Sequence, residues 1–183
     1  MNYIGYSNCD LANGEGARVS LFVSGCTMRC KGCFSKESWD FKAGKPFDES
    51  MMNRVLRDLS NGYIKGLSIL GGDPLEEANI SVVTELCRKA KELCPNKTIW
   101  LWTGRKKEKV EGLPIMQYLD VVISEPFVEK FKFNGKYMGS SNQKIWYAKN
   151  GKPYEVELVS EHSHKDFFSD KEEKEIGDFS CHC

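Results

Sequence analysis

Residues 24–34 read SGCTMRCKGCF and place Cys26, Cys30 and Cys33 on one short stretch of chain. Thiolates are the preferred ligands of iron–sulfur clusters, and C-x3-C-x2-C spacing lets a single loop wrap three corners of a cubane. Zinc sites and simple electron carriers usually close a metal with four protein ligands, so a local set of three predicts a metal left open on one side. The competing reading is a structural zinc site completed by a distant residue. The accompanying turns favour the open cluster. An open iron takes a small chelating ligand, and S-adenosylmethionine offers it an amine and a carboxylate. An electron from a reduced cluster held there would pass into the adjoining sulfonium and break its bond to the 5′ carbon, leaving an adenosyl radical.

The elements that must position these cysteines follow from hydrophobic patterning. Residues 17–23 (ARVSLFV) read as a strand that delivers the cysteine loop from its C-terminal end. Residues 50–59 carry Met52, Val55, Leu56 and Leu59 at helical spacing, with Asp48 or Ser50 as a cap. A short strand over 67–70 ends in Gly71-Gly72-Asp73-Pro74, and a helix over 79–93 follows, stopped by Pro95. Residues 98–102 (TIWLW) and 120–124 (DVVIS) are two further strands, ended by Thr103-Gly104 and Glu125-Pro126-Phe127. Strands alternating with helices predict an α/β fold with a parallel sheet, whose active site lies beyond the C-terminal strand ends. The cysteine loop, GGDP, WTG and SEPF all fall on that rim.

Glycines in the GGDP turn let backbone groups approach a ligand, so Gly71, Gly72 and Asp73 are candidates to bind the methionine amine. Gly32 beside Cys33 leaves room for an adenine, with Phe34 as a stacking or packing surface.

These motifs, NGEGARVSLFVSGCTMRCKGCFSKESW, GGDPL, IWLWTG and GSSNQ in that order, resemble the radical S-adenosylmethionine superfamily. More narrowly, they are similar to the glycyl-radical activases that serve anaerobic ribonucleoside-triphosphate reductases. The resemblance covers about residues 1–147. It implies a shortened, open (β/α) partial barrel with a [4Fe-4S] cluster on Cys26, Cys30 and Cys33. It also implies S-adenosylmethionine contacts from Gly32, Cys33, Phe34 and Gly72. The implied reaction removes hydrogen from a glycine of the large reductase subunit, and reduced flavodoxin or a similar donor supplies the electron. The alternatives are an activase of another glycyl-radical enzyme, of formate-lyase type, and a non-enzymatic iron–sulfur electron carrier. Two departures from the pattern stand out. Gly32 occupies a position that is often aromatic in the superfamily but commonly glycine in the activating proteins. Ser124-Glu125-Pro126-Phe127 stands where the family tends to read DG before a phenylalanine, so no ligand role passes to Ser124 or Glu125.

The 183 residues suit one domain over 1–150 with a polar C-terminal extension over 151–183. Lysine and arginine number 26, and so do aspartate and glutamate, which disfavours a charge-steered nucleic-acid or membrane partner. No signal-like or membrane-spanning run is evident, so the eight cysteines are expected in a reducing cytoplasm. Cys87 and Cys94 share a helix face and are expected in the core, and Cys9 is expected to be buried. His162, His164, Cys181, His182 and Cys183 form a second metal site, a redox-active terminus or a mobile tail. Trp100, Trp102 and Trp146 read as core or rim aromatics, with a groove for the glycine loop as the alternative place for one of them. Arg18, Lys31 and Arg105 near the rim read either as partners of the cosubstrate carboxylate or the reductase or, more commonly, as solvated charge.

Overall fold

The computed structural model describes residues 1–133, 136–149 and 152–154. The chain forms β1 (Asn2–Asp10), β2 (Arg18–Val23), β3 (Lys45–Pro46), α1 (Glu49–Leu59), β4 (Gly66–Gly71) and α2 (Glu77–Leu93). It continues through β5 (Thr98–Trp102), α3 (Lys107–Val110), β6 (Val121–Ser124), β7 (Lys144–Lys149) and β8 (Lys152–Tyr154). Among the described residues, eight strands join one sheet in the order β3-β1-β2-β4-β5-β6-β7-β8.

The central four strands, β2, β4, β5 and β6, are parallel, as the strand–helix alternation predicts. The expectation of a parallel sheet holds only for this centre. β1 and β3 extend one side antiparallel, and β7 and β8 extend the other. Sequence patterning misses β1 because most of its residues are half-buried, so apolar and polar positions do not alternate cleanly.

Alternation along the central strands divides the interior in two. Val19, Leu21, Val23, Leu67, Ile69, Ile99, Leu101 and Val122 face the helices, where Val55, Leu59, Val83, Leu86, Cys87 and Ala90 meet them. Each of the valine, leucine and isoleucine side chains among them contributes about 1.5–3 kcal/mol through removal from water. Asp48 caps α1 by accepting from the Met51 amide at 2.9 Å. On the opposite face Trp100, Val121, Ile123 and Tyr147 form a smaller cluster, covered in part by Tyr137 and Met138.

Two expectations are corrected. Arg18 is fully buried at the N-terminal end of β2 and is not a solvated charge at the rim. Its guanidinium donates to Ser68 Oγ (2.7 Å), Thr98 Oγ1 (2.9 Å) and the carbonyls of Leu67 (2.9 Å), Thr98 (2.9 Å) and Glu15 (3.2 Å). It also lies 5.1 Å from the centre of the Trp100 ring. Burial lowers its pKa to about 10, which still leaves it charged at neutral pH. Cys9 is exposed, not buried, because it sits near the end of an outer strand. Cys87 is buried, and the half-buried Cys94 packs against the same core.

Among the described residues no helix is long and apolar enough to cross a membrane. The tail residues His162, His164, Cys181, His182 and Cys183 lie outside the described residues.

Candidate functional site

Parallel strands end on one side, so the turns after β2, β4, β5 and β6 are brought together, and they border one cavity of about 200 Å³. The turn after β2 contributes Cys26, Met28, Cys30, Cys33 and Phe34, and the end of β4 contributes Leu70, Gly71 and Gly72. Trp102, Thr103 and Gly104 come from β5, Glu125 and Phe127 from the segment after β6, and Gly139 and Gln143 from the approach to β7.

Two of the residues singled out in the sequence stand behind this wall. The left-handed Gly32 backs onto Glu129, whose carboxylate would lie 2.7 Å from an added Cβ. Asp73 is buried beneath the floor. Its carboxylate accepts from the Leu75 amide (2.9 Å), from Thr103 Oγ1 (2.9 Å to each oxygen) and from the Gly104 amide (3.2 Å). Asp73 thus ties the β4 turn to the β5 turn. Burial raises its pKa, against the pull of those donors.

Residues that sequence reasoning passed over complete the bracket. Glu76 occupies the N-cap position of α2, yet its side chain makes no cap and reaches the cysteine loop instead. Its Oε1 accepts from both the amide and the hydroxyl of Thr27, each at 2.7 Å. Asn79 Nδ2 donates to the carbonyls of Ser24 (2.9 Å) and Asp73 (3.0 Å). Gln143 accepts from the amides of Gly139 (2.8 Å) and Ser140 (3.3 Å) and donates to the Glu125 carbonyl (3.2 Å). The i, i+3, i+6 spacing of Asp73, Glu76 and Asn79 was the available signal, but in sequence it reads as an ordinary helix start.

Of the flagged cations, Lys31 pairs with Glu129 at 3.3 Å, and Arg105 reaches Glu76 at 3.5 Å. Trp100 and Trp146 are core residues, while Trp102 lines the cavity.

The donor set fits an iron–sulfur cluster. Cys26, Cys30 and Cys33 border the same cavity, and none is in a disulfide. Burial pushes the Cys26 thiol up; the Met28 and Arg29 amides oppose this, and the charges of Asp73 and Glu76 add to it. Burial likewise raises Cys30, with the Phe127 amide pulling the other way. Such thiols lose their protons when they bind cationic iron. Glycines keep the facing wall open. A Cβ at Gly72 would lie 2.5 Å from the Gly25 carbonyl oxygen, and one at Gly104 would lie 2.3 Å from Met28 Sδ.

A family model described as a 4Fe-4S single cluster domain matches residues 12–146. The chain is also similar to curated proteins named anaerobic ribonucleoside-triphosphate reductase-activating protein. The one from Pasteurella multocida is 42% identical over 153 residues, which is 80% of this chain and 97% of that protein. The chain belongs to this activating-protein family. The member from phage T4 is 37% identical over 151 residues, covering 82% of this chain and 97% of its own length. That from Escherichia coli K12 is 36% identical over 154 residues, covering 81% of this chain and all of its own. With the family comes an iron–sulfur cluster.

Proposed function

We propose that the chain activates an anaerobic ribonucleoside-triphosphate reductase by means of a [4Fe-4S] cluster and S-adenosylmethionine. The observation that carries this reading is the shared cavity: three cysteines of one loop face the glycine turns of β4 and β5, in a chain whose relatives bear that name. Cys26, Cys30 and Cys33 hold the cluster, and the open side of the cavity receives S-adenosylmethionine. Bound there, the pair supplies reductive cleavage of the sulfonium and a hydrogen-abstracting adenosyl radical, which makes a glycyl radical on the large reductase subunit.

The chain's own residues bind, orient and shield. Gly71 and Gly72 offer backbone groups to the methionine moiety, while Cys33 and Phe34 flank the opposite side. Phe34 and Phe127 meet edge to face with ring centres 5.5 Å apart, and they form the apolar part of the mouth. Asp73 and Gly32 act from behind, by holding the β5 turn and by letting the loop pass Glu129. In this reading the sheet is a shortened, open (β/α) barrel, and its incomplete wall admits a protein loop as substrate. Residues 1–150 form the activase domain, with 151–183 as an extension. A reduced flavodoxin or similar donor supplies the electron in the cytoplasm, and neither nucleic acid nor membrane takes part.

The test is anaerobic reconstitution with iron and sulfide, followed by reduction and assay of added S-adenosylmethionine for 5′-deoxyadenosine. Electron paramagnetic resonance is recorded before and after the cosubstrate is added. Product together with a perturbed spectrum is the expected result. An intact cluster with neither product nor spectral response would reduce the chain to an electron carrier.

A further inference from the structure

Glu76 is placed where no capping role explains it. It stands at the start of the 17-residue α2, leaves the helix uncapped, and spends its carboxylate on a loop 49 residues earlier in the chain. Its carboxylate side chain is only 8% exposed, and among the described residues the cation paired with it is Arg105 at 3.5 Å, itself 38% exposed. Burying a carboxylate whose countercharge is a single part-exposed arginine at 3.5 Å is costly unless the site gains from it. Thr27, which it holds by two bonds of 2.7 Å, directly follows Cys26.

We propose that Glu76 is a positioning residue for the cysteine loop and that its buried carboxylate lowers the reduction potential of the cluster held there. Two physical effects converge. Outer partners fix the orientation of metal ligands, and here the acceptor is locked onto the residue beside a ligand. Cluster potentials also depend on nearby charge and exposure, and a fixed negative charge opposes the arrival of an electron. Asn79 supports the same turn without adding charge, through the Ser24 carbonyl at 2.9 Å. Glu77 is the built-in contrast, since it is the same residue type one position later and borders the same surface hollow as Thr27 but is exposed, where water screens its charge.

This inference rests on the cluster assignment above, so the experiment separates the two. The full-length protein is reconstituted anaerobically, and iron content, read first, reports on the assignment. The potential is then measured without cosubstrate, using dithionite through mediator dyes as the electron source and the resonance signal as readout. Glu76→Gln keeps an acceptor for Thr27 and removes the charge. It is expected to favour reduction about tenfold, which is about 59 mV for one electron. Glu77→Gln is expected to leave the potential in place. Arg105→Gln removes the counter-charge beside Glu76 and is expected to move the potential in the negative direction. A wild-type potential in Glu76→Gln, or an equal shift in Glu77→Gln, would overturn the proposal. Should Glu76→Gln load no iron, an unmoved potential in Arg105→Gln overturns it as well.

Discussion

At the N-terminal end of β2, β4 and β5 a buried guanidinium fills the space between strands, whereas at their C-terminal end glycines keep the space clear. Arg18 bonds to β4 and β5 and to the Glu15 carbonyl, and Ser68, which accepts from it, donates on to the Asn13 carbonyl at 2.5 Å. At the other end Asp73, Glu76 and Asn79 bridge the turns that follow separate strands, and they do so from behind the cavity wall. Both ends use buried polar groups with several partners each. One end closes the structure, and the other holds a rim open without occupying it.

The comparison would be broken most sharply by Arg18→Leu. It leaves two hydroxyls and three carbonyls short of a donor in a buried place, a loss of about 3–5 kcal/mol by analogy with other broken buried charge networks. Urea denaturation should show that loss, while the fraction still folded in the absence of urea binds iron normally. Loss of iron without loss of stability would mean that the two ends do not divide their roles in this way.

Gly72→Ala attacks the open end. The added methyl meets the Gly25 carbonyl oxygen, a backbone atom of the cysteine loop that cannot swing aside. Overpacking of this kind costs about 1–3 kcal/mol, less than the Arg18 change, yet bound iron is expected to fall steeply because the loop itself shifts. Gly104→Ala is the milder counterpart, since its methyl meets the thioether of Met28, the far part of a flexible side chain that is 38% exposed. Under about 1 kcal/mol of stability should be lost, and iron should be retained. Equal iron loss in the two variants would show that the wall tolerates nothing at either position.

Different parts of this design were legible in the sequence to different degrees. The helices α1 and α2 and the strand β5 declare themselves because each buries one stripe or alternates between faces. The rim was legible because strand ends coincide with turn residues, and the four turns do share one cavity. β7 was missed because Ile145, Trp146 and Tyr147 are successive apolar residues that serve both faces of the sheet, so no period of two survives. Arg18 was misread because a charged residue at a strand start ordinarily points to water, and only the partners on β4 and β5 make its burial tolerable. The reach of Glu76 to Thr27 was hidden for the same reason: the partner is distant in sequence and near only in the fold.

The smallest expected effect lies on the outer surface of the same rim. Lys31 sits between Cys30 and Cys33 and pairs with Glu129 at 3.3 Å, so it looks like a latch between the cysteine loop and the segment after β6. Its side chain is 91% exposed, however, and that of Glu129 is 48% exposed. Water screens such a pair, and holding the long lysine chain in place costs entropy, so Lys31→Gln should cost less than about 0.5 kcal/mol and leave iron binding unchanged. The comparison with Glu76 is direct, because each makes a polar tie between the cysteine loop and another segment, one buried and one exposed. If Lys31→Gln released iron as Gly72→Ala does, loop placement would depend on the exposed latch, and the buried bracket would not be what fixes it.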